Sequence, residues 1–212
     1  MRLVLISDKH GLHHRIGQLP EGDILVHAGD FMNAGYDPNE AISFNRWLGQ
    51  QPFEYRIVCA GNHDRIFENF PEEARLLLSN GIYLEESGFT IEGLSFWGSP
   101  YTPEFLDWAF MYPLGSQARG HWDRIPDKLD VLITHGPPFG ILDQTRRNGT
   151  HLGCEELLKA VTKRRPRVHV FGHIHGGAGI YSDGTTQFVN AVYLNESYKP
   201  LPPAGKVRVI DL

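Results

Sequence analysis

The sequence predicts an α/β protein of four layers, an αββα sandwich in which two mixed β-sheets pack face to face and helices cover their outer surfaces. Three observations predict it. Five apolar runs, Arg2–Ser7, Asp23–His27, Arg56–Cys59, Asp130–Thr134 and Val168–Phe171, have the length and the Val/Ile/Leu content of buried strands. Helix signals fall between them. Two hairpin signals and a last alternating segment add enough strands for a second sheet, and stacking two sheets under helices would bury every apolar face.

The elements follow in order. Asp37-Pro38-Asn39-Glu40 opens a helix reaching about Gly49, since Pro38 suits the first helical position and Glu40 lies near the positive end. Pro71–Leu78 is a second helix, stopped by Asn80-Gly81. Phe89–Ile91 and Leu94–Trp97 flank Glu92-Gly93 as a tight hairpin. Gly98 to Pro113, rich in proline and aromatics, reads as irregular, and Ser116–Trp122 as a short helix. A Gly/Pro loop, Gly136–Gly140, and a polar stretch to Gly149 precede a helix from about Cys154 to Arg164. Gly179–Ser182 and Thr185–Val189 flank Asp183-Gly184, a pair suited to a type I′ turn, and Lys206–Ile210 is the final strand.

Composition narrows the function classes. The 212 residues, 41% hydrophobic and 21% charged, suit a single soluble domain spanning residues 1–212. A net charge of -5 argues against a stable nucleic-acid complex. The basic cluster Lys163–Arg167 reads as cations at the negative end of a helix that Pro166 stops. Cys59 and Cys154 are too few for a disulfide framework. A first strand at Arg2 leaves no room for a signal peptide, and no run is long enough to cross a bilayer. The expectation is a cytoplasmic protein without membrane contact.

Each of the five apolar runs is followed by polar residues, most of them of metal-ligating type. Asp8 and His10 follow the first, Asp30 the second, Asn62 and His63 the third, His135 the fourth, and His173 with His175 the fifth. Ligands in layered α/β folds bind beyond the carboxyl ends of strands, so these segments should converge. In an extended segment residues i and i+2 point the same way, which would aim Asp8 and His10 at one cation and Lys9 away from it. Imidazole, carboxylate and amide without cysteine favour Mn, Fe, Zn, Co or Ni over soft-metal sites. Seven ligands are too many for one catalytic ion but suit two that share a carboxylate. Such a pair keeps net positive charge for a phosphate and acidifies a bridging water, the logic of paired-metal phosphoryl hydrolysis.

Taken together, the ordered set Asp8-x-His10, Gly29-Asp30, Gly61-Asn62-His63-Asp64, Thr134-His135 and Gly172-His173-x-His175 resembles the calcineurin-like metallophosphoesterase superfamily over nearly the whole chain. Gly98–Pro103, Asp107–Phe110, Thr134–Pro138 and His151–Glu156 resemble its metallophosphoesterase-domain-containing, fetal-brain protein-like branch. The resemblance implies that Asp8, His10 and His175 hold one metal, that Asn62, His135 and His173 hold the other, and that Asp30 bridges. It implies two divalent ions, Mn first, with Fe, Zn, Co, Ni or Mg as alternatives. A bridging hydroxide would attack phosphorus in line, His63 would protonate the leaving oxygen, and Asp64 would orient His63. Lys9 departs from the family's small or neutral residue at that slot.

The expected activity is hydrolysis of small phosphodiesters, nucleotide-type or cyclic-nucleotide substrates foremost. A phosphomonoesterase and a metal-binding scaffold of little turnover are the alternatives, the second disfavoured because no ligand is lost. His27 and His169 read as packed, hydrogen-bonded histidines, and His13 and His14 as rim residues. His151 is a candidate substrate contact. Arg146 and Arg147 read as solvent-exposed, and Tyr101, Phe105, Trp108, Phe110 and Tyr112 as aromatic core or lid.

Overall fold

The computed structural model describes residues 1–113, 115–202 and 207–212. Its first sheet contains β1 (Arg2–Ile6), β2 (Ile24–Ala28), β3 (Tyr55–Cys59) and β4 (Ile82–Leu84), all parallel, in that spatial order. The second is built on β5 (Ser87–Ile91) and β6 (Leu94–Ser99). After the short parallel pair β7 (Thr102–Pro103) and β8 (Met111–Tyr112), it continues with β9 (Val131–Thr134), β10 (Val168–Phe171), β11 (Gly179–Ser182) and β12 (Gln187–Asn190). Its order is β11-β12-β10-β9-β6-β5, with β12, β10, β9 and β6 parallel and antiparallel strands at both edges. β13 (Arg208–Asp211) pairs antiparallel with β1 at the edge of the first sheet. The predicted start of that strand at Lys206 lies outside the described residues.

Strand alternation sorts the core into layers. Leu3, Leu5, Val26 and Ile57 of the first sheet meet Phe96, Val131, Ile133 and Val170 of the second. On the other face of β1, Val4 and Ile6 pack with Ala41, Phe44 and Leu48 of α1 (Pro38–Gly49) and with residues of α2 (Ile66–Asn69) and α3 (Pro71–Leu76). On the far face of the second sheet, Trp97, Leu132 and Phe171 pack under α4 (Ser116–Trp122) and α5 (Glu155–Arg164). This is the expected four-layer αββα arrangement. Among the described residues, no helix is long and apolar enough to cross a membrane.

Most boundaries agree with the sequence reading. Asp37 caps α1, its carboxylate accepting from the Asn39 N–H at 2.9 Å with Pro38 in the first turn. Glu92 and Gly93 both have positive φ, as a type I′ turn requires. The basic cluster ends α5: Arg165 is left-handed and Arg164 donates to the Asp123 and Ile125 carbonyls.

Three details differ. α2 and β4 have no counterpart in the sequence reading, because segments of four and three residues carry too little periodicity to register. The Gly98–Pro113 stretch holds the two-residue strands β7 and β8. The second hairpin has a four-residue loop in place of a two-residue turn, since Ser182 pairs with Gln187. The Asp183 carboxylate accepts the Thr185 and Thr186 N–H groups, each at 2.8 Å, and this Asx arrangement outcompetes the Asp-Gly turn.

Where the two sheets meet, β1 runs past its end into a single bridge with the chain beyond β12. Ser7 N–H donates to Ala191 O and Tyr193 N–H to Ser7 O, both at 2.8 Å. That seam brings the carboxyl ends of β1, β2, β3, β9 and β10 together.

Candidate metal centre

At the seam, the backbone is bent in ways side chains normally avoid. Asp8, His10, Asp30 and His173 all have φ between 41° and 65°, in the left-handed region that costs a non-glycine residue about 1–2 kcal/mol. The Asp8–His10 segment is therefore not extended, contrary to expectation. Both side chains reach the centre from left-handed backbone, while Lys9 still points away. Ligand crowding also explains two glycines. A Cβ on Gly61 would lie 2.5 Å from His135 Cε1, and one on Gly172 would overlap Asp8 and Ser7.

The expected ligands converge. Asp8, His10 and His175 offer ligand atoms all within 4.8 Å of one another, and so do Asp8, Asp30 and His135. Asn62 Oδ1 lies 2.9 Å from His135 Nε2, which is 3.3 Å from Asp30 Oδ1. The His173 ring centroid is 5.0 Å from that of His135, and its N–H donates to both Asp8 oxygens at 3.0 Å. His63 joins His10 and Asp30 in a third group within 4.8 Å, so it stands at ligand distance as well.

Tautomers are set by backbone carbonyls, which can only accept. His135 Nδ1–H donates to Ala28 O at 2.9 Å, His175 Nδ1–H to Asn195 O at 3.0 Å, and His63 Nδ1–H to Asn33 O at 2.6 Å. In the neutral form of each ring Nε2 carries the lone pair. His10 is buried, and neither of its ring nitrogens has a hydrogen-bond partner among the described residues. Asp8 and Asp30 are buried without a lysine or arginine ion-pair partner among those residues. Imidazole nitrogens facing buried carboxylates that have no lysine or arginine partner among the described residues are the donor set of a hard or borderline dication, so the residues fit metal ions.

Protonation follows the same charge balance. Burial pushes Asp8 up, but the His175 hydrogen bond and the His135 charge outweigh it and hold the acid at about 2. Burial lowers His135, yet Asp30 overrides it and raises the imidazole to about 9. Burial depresses His10 and His173 to about 4. A cation between Asp30 and His135 would displace the proton that His135 otherwise keeps.

Asp64 does not orient His63, contrary to expectation. It is fully buried, and its oxygens accept from the backbone N–H groups of Asp30 at 2.9 Å, Gly61 at 2.7 Å and Met32 at 2.8 Å. It ties the second ligand loop to the third. Burial and the Asp30 charge raise it to about 8. His63 is oriented instead by Asn33 O and by Trp108, whose ring stacks on it at 4.0 Å.

Lys9 is also fully buried. Its ammonium donates to Phe31 O at 3.2 Å and His13 Nδ1 at 3.4 Å and sits 4.1 Å over the Phe44 ring. Burial pushes its pKa well below the ordinary lysine value. His13 is thus a buried partner of Lys9 and Ser43, not a rim residue, whereas His14 is exposed. His169 bonds Thr134 Oγ1 at 2.8 Å, as expected of a packed histidine. His27 is packed beside Phe31 and Phe44 but has no hydrogen-bond partner among the described residues, a correction to the expectation that it would be bonded. Arg146 and Arg147 are exposed. The aromatic group divides: Phe110 and Tyr112 are core, Tyr101 is half-buried, Phe105 is exposed, and Trp108 belongs to the site.

Ser7, Asn33 and Tyr198 escaped the sequence reading. Ser7 Oγ donates to Asp8, and the Tyr198 ring lies 4.9 Å from His10 and 5.3 Å from His175 at the mouth. Asn33 acts through its carbonyl, which carries no sequence signal.

Comparison with known proteins agrees with this geometry. A family model described as calcineurin-like phosphoesterase matches residues 1–177. "Metallophosphoesterase domain-containing protein 1" of Homo sapiens is 43% identical over all of this chain and 71% of its own length. "UPF0046 protein T07D4.2" of Caenorhabditis elegans is 40% identical over 93% of this chain and 57% of its own length. The solved structure of TT1561 of Thermus thermophilus shares the fold at a TM-score of 0.60 and 14% identity, covering 90% of this chain and 88% of its own.

Proposed function

Since the chain belongs to the calcineurin-like phosphoesterase family, whose members typically act on phosphoesters with paired metal ions, we propose that it hydrolyses small phosphodiesters of nucleotide type, cyclic nucleotides included. The observation that carries this reading is the convergence of two buried carboxylates, without lysine or arginine partners among the described residues, on imidazoles whose Nε2 atoms face them, with His63 beside them. Asp8, His10 and His175 would hold one divalent ion and Asn62, His135 and His173 the other, with Asp30 shared between them and Mn the first choice. When bound, the ions supply the positive charge that attracts a phosphate and acidifies water.

The chain's own groups do the rest. His63, with Nδ1–H tied to Asn33 O, presents Nε2 for proton transfer to the departing oxygen. Trp108 stacks on that ring and limits its rotation. Asp64 and Lys9 act from behind the centre as positioning residues. Trp108 and Tyr198 offer aromatic faces at the mouth, and the net charge of -5 favours a small substrate over a polymer.

The test is a panel of diesters, monoesters and cyclic nucleotides assayed with Mn, Zn, Ni, Co and Mg. Metal-dependent turnover with a diester preference is expected. A monoester preference would replace the diester reading, and absence of turnover with full metal loading would leave a metal-binding scaffold.

A further inference from the structure

Between β9 and α5 the chain makes an excursion that the metal centre does not use. Asp143 lies at its root, fully buried, its carboxylate accepting the Gly140 N–H at 2.9 Å, the Gly153 N–H at 3.0 Å and His151 Nδ1–H. Among the described residues it has no lysine or arginine ion-pair partner. The His151 imidazole is held by this buried carboxylate on one side. On the other, its Nε2 lies 2.8 Å from the Gln144 side-chain amide, and both side chains are exposed.

The Asp143–His151 pair and Gln144 line a cavity of about 360 Å³ whose facing wall includes Gly176 and Gly177. Those glycines directly follow the ligand His175, so the wall begins within two Cα steps, roughly 7 Å, of that ligand's Cα. The excursion is seated tightly on this wall. A Cβ on Gly176 would lie 2.5 Å from Gln144 O and 2.8 Å from Glu196 Oε1.

The chemistry of the lining selects an occupant. The buried Asp143 carboxylate lies directly behind the His151 lining and Glu196 beside its Gly176 wall, so a second phosphate is disfavoured. Gln144 donates one N–H to His151 Nε2 and keeps Oε1 and a second N–H for a neutral polar group, with the His151 ring beside it. We propose that this cavity is a second recognition site of the same reaction, with His151 and Gln144 binding the neutral, hydroxyl- and amide-bearing organic group of the phosphoester, as a nucleoside provides, while Asp143 positions His151. This inference rests on the phosphoesterase reading above. Asp143 is a positioning residue, and His151 and Gln144 determine specificity.

The experiment compares two esters with one leaving group on the metal-loaded protein: methyl para-nitrophenyl phosphate, which cannot fill the cavity, and thymidine para-nitrophenyl phosphate, which can. His151→Ala should raise KM for the thymidine ester about tenfold with kcat little changed, so the selectivity between the two esters falls about tenfold. Gln144→Leu, a change to an exposed side chain, should lower the same ratio by a smaller factor. Equal losses on both esters, or an unchanged ratio in both variants, would overturn the proposal. If wild type cleaves neither ester the phosphoesterase reading fails separately. The cavity is then judged by thymidine titration followed at the His151 ring resonance. A saturable shift that Gln144→Leu weakens supports the site, and no shift overturns it.

Discussion

The two sheets hold their halves of the metal centre by different means. The loops after β1, β2 and β3 are tied together from behind by buried ionisable side chains. Asp64 takes three backbone N–H groups from the second and third loops, and Lys9 reaches from the first to Phe31 O on the second. The loops after β9 and β10 set their ligand rings through neutral partners, and carboxylates enter only where the His173 N–H meets Asp8 and, farther along, at the buried Asp143. Ala28 O and Asn195 O set the His135 and His175 rings, and Thr134 bonds His169. Among the ligand residues, strain is concentrated on the first side, where Asp8, His10 and Asp30 are left-handed, against His173 on the second, where Leu142, in the loop after β9, is also left-handed. Buried ionisable groups, once their hydrogen bonds are satisfied, can hold unfavourable backbone in place. The cost is sensitivity, because removing one member leaves the others unpaired in a low dielectric.

That contrast can be tested, beginning with the largest effect. Asp30→Asn should lower bound metal and turnover together, by a hundredfold or more in activity on the order expected for loss of a shared charged ligand. Metal analysis showing two fully retained ions would contradict the bridging role. His63→Asn should cut kcat for a poor-leaving-group diester by roughly 10²–10⁴ with metal content near normal. Unchanged kcat would remove His63 from proton transfer.

Asp64→Asn turns an amide N–H₂ toward backbone donors and should destabilise the fold by about 2–3 kcal/mol. Thermal unfolding would then shift down by roughly 5–10 °C. No shift would mean that the tie between the second and third loops is dispensable. Lys9→Met keeps the chain's bulk over Phe44 and removes the ammonium. If Lys9 acts mainly by packing, stability should stay within about 1.5 kcal/mol and metal content should hold. A larger loss accompanied by metal release would show that the buried charge itself is needed.

The smallest effect belongs to the second side. Burial lowers His169 to about 3 from its ordinary 6.5. Below about pH 6.5 the unfolded chain binds a proton there that the folded chain refuses, so stability falls as the pH drops from 6.5 toward 3. His169→Leu should flatten the unfolding-temperature profile over that window and change little at about pH 8. An equally steep profile would assign the acid sensitivity to other groups.

Much of the centre was legible because ligand chemistry resides in side chains. Asp8, Asp30 and the histidines at strand ends announce themselves by type and spacing, and the apolar runs announce the strands that carry them. Asp64 was legible as a carboxylate in the right place but not in its role. Its direction depends on where the Asp30 and Met32 N–H groups lie, and these are 34 and 32 residues away. The Asn33 carbonyl on His63 could not be read at all, since every residue has a carbonyl. The four-residue turn at Asp183 was missed because two turn chemistries competed within one tetrapeptide.

The sequence by itself indicated the longer strands and helices in their order, the candidate ligands and the fit to phosphoester chemistry, because residue type and local periodicity carry that information. Only the tertiary structure decided what lies behind those ligands: the left-handed backbone at Asp8, His10, Asp30 and His173, the ring tautomers set by distant carbonyls, Asp64 turned toward the backbone, and Lys9 buried over Phe44. The physical reason is that hydrogen-bond direction and burial belong to pairs of segments far apart in the chain. They come into being only when the two sheets close on each other at the Ser7 seam.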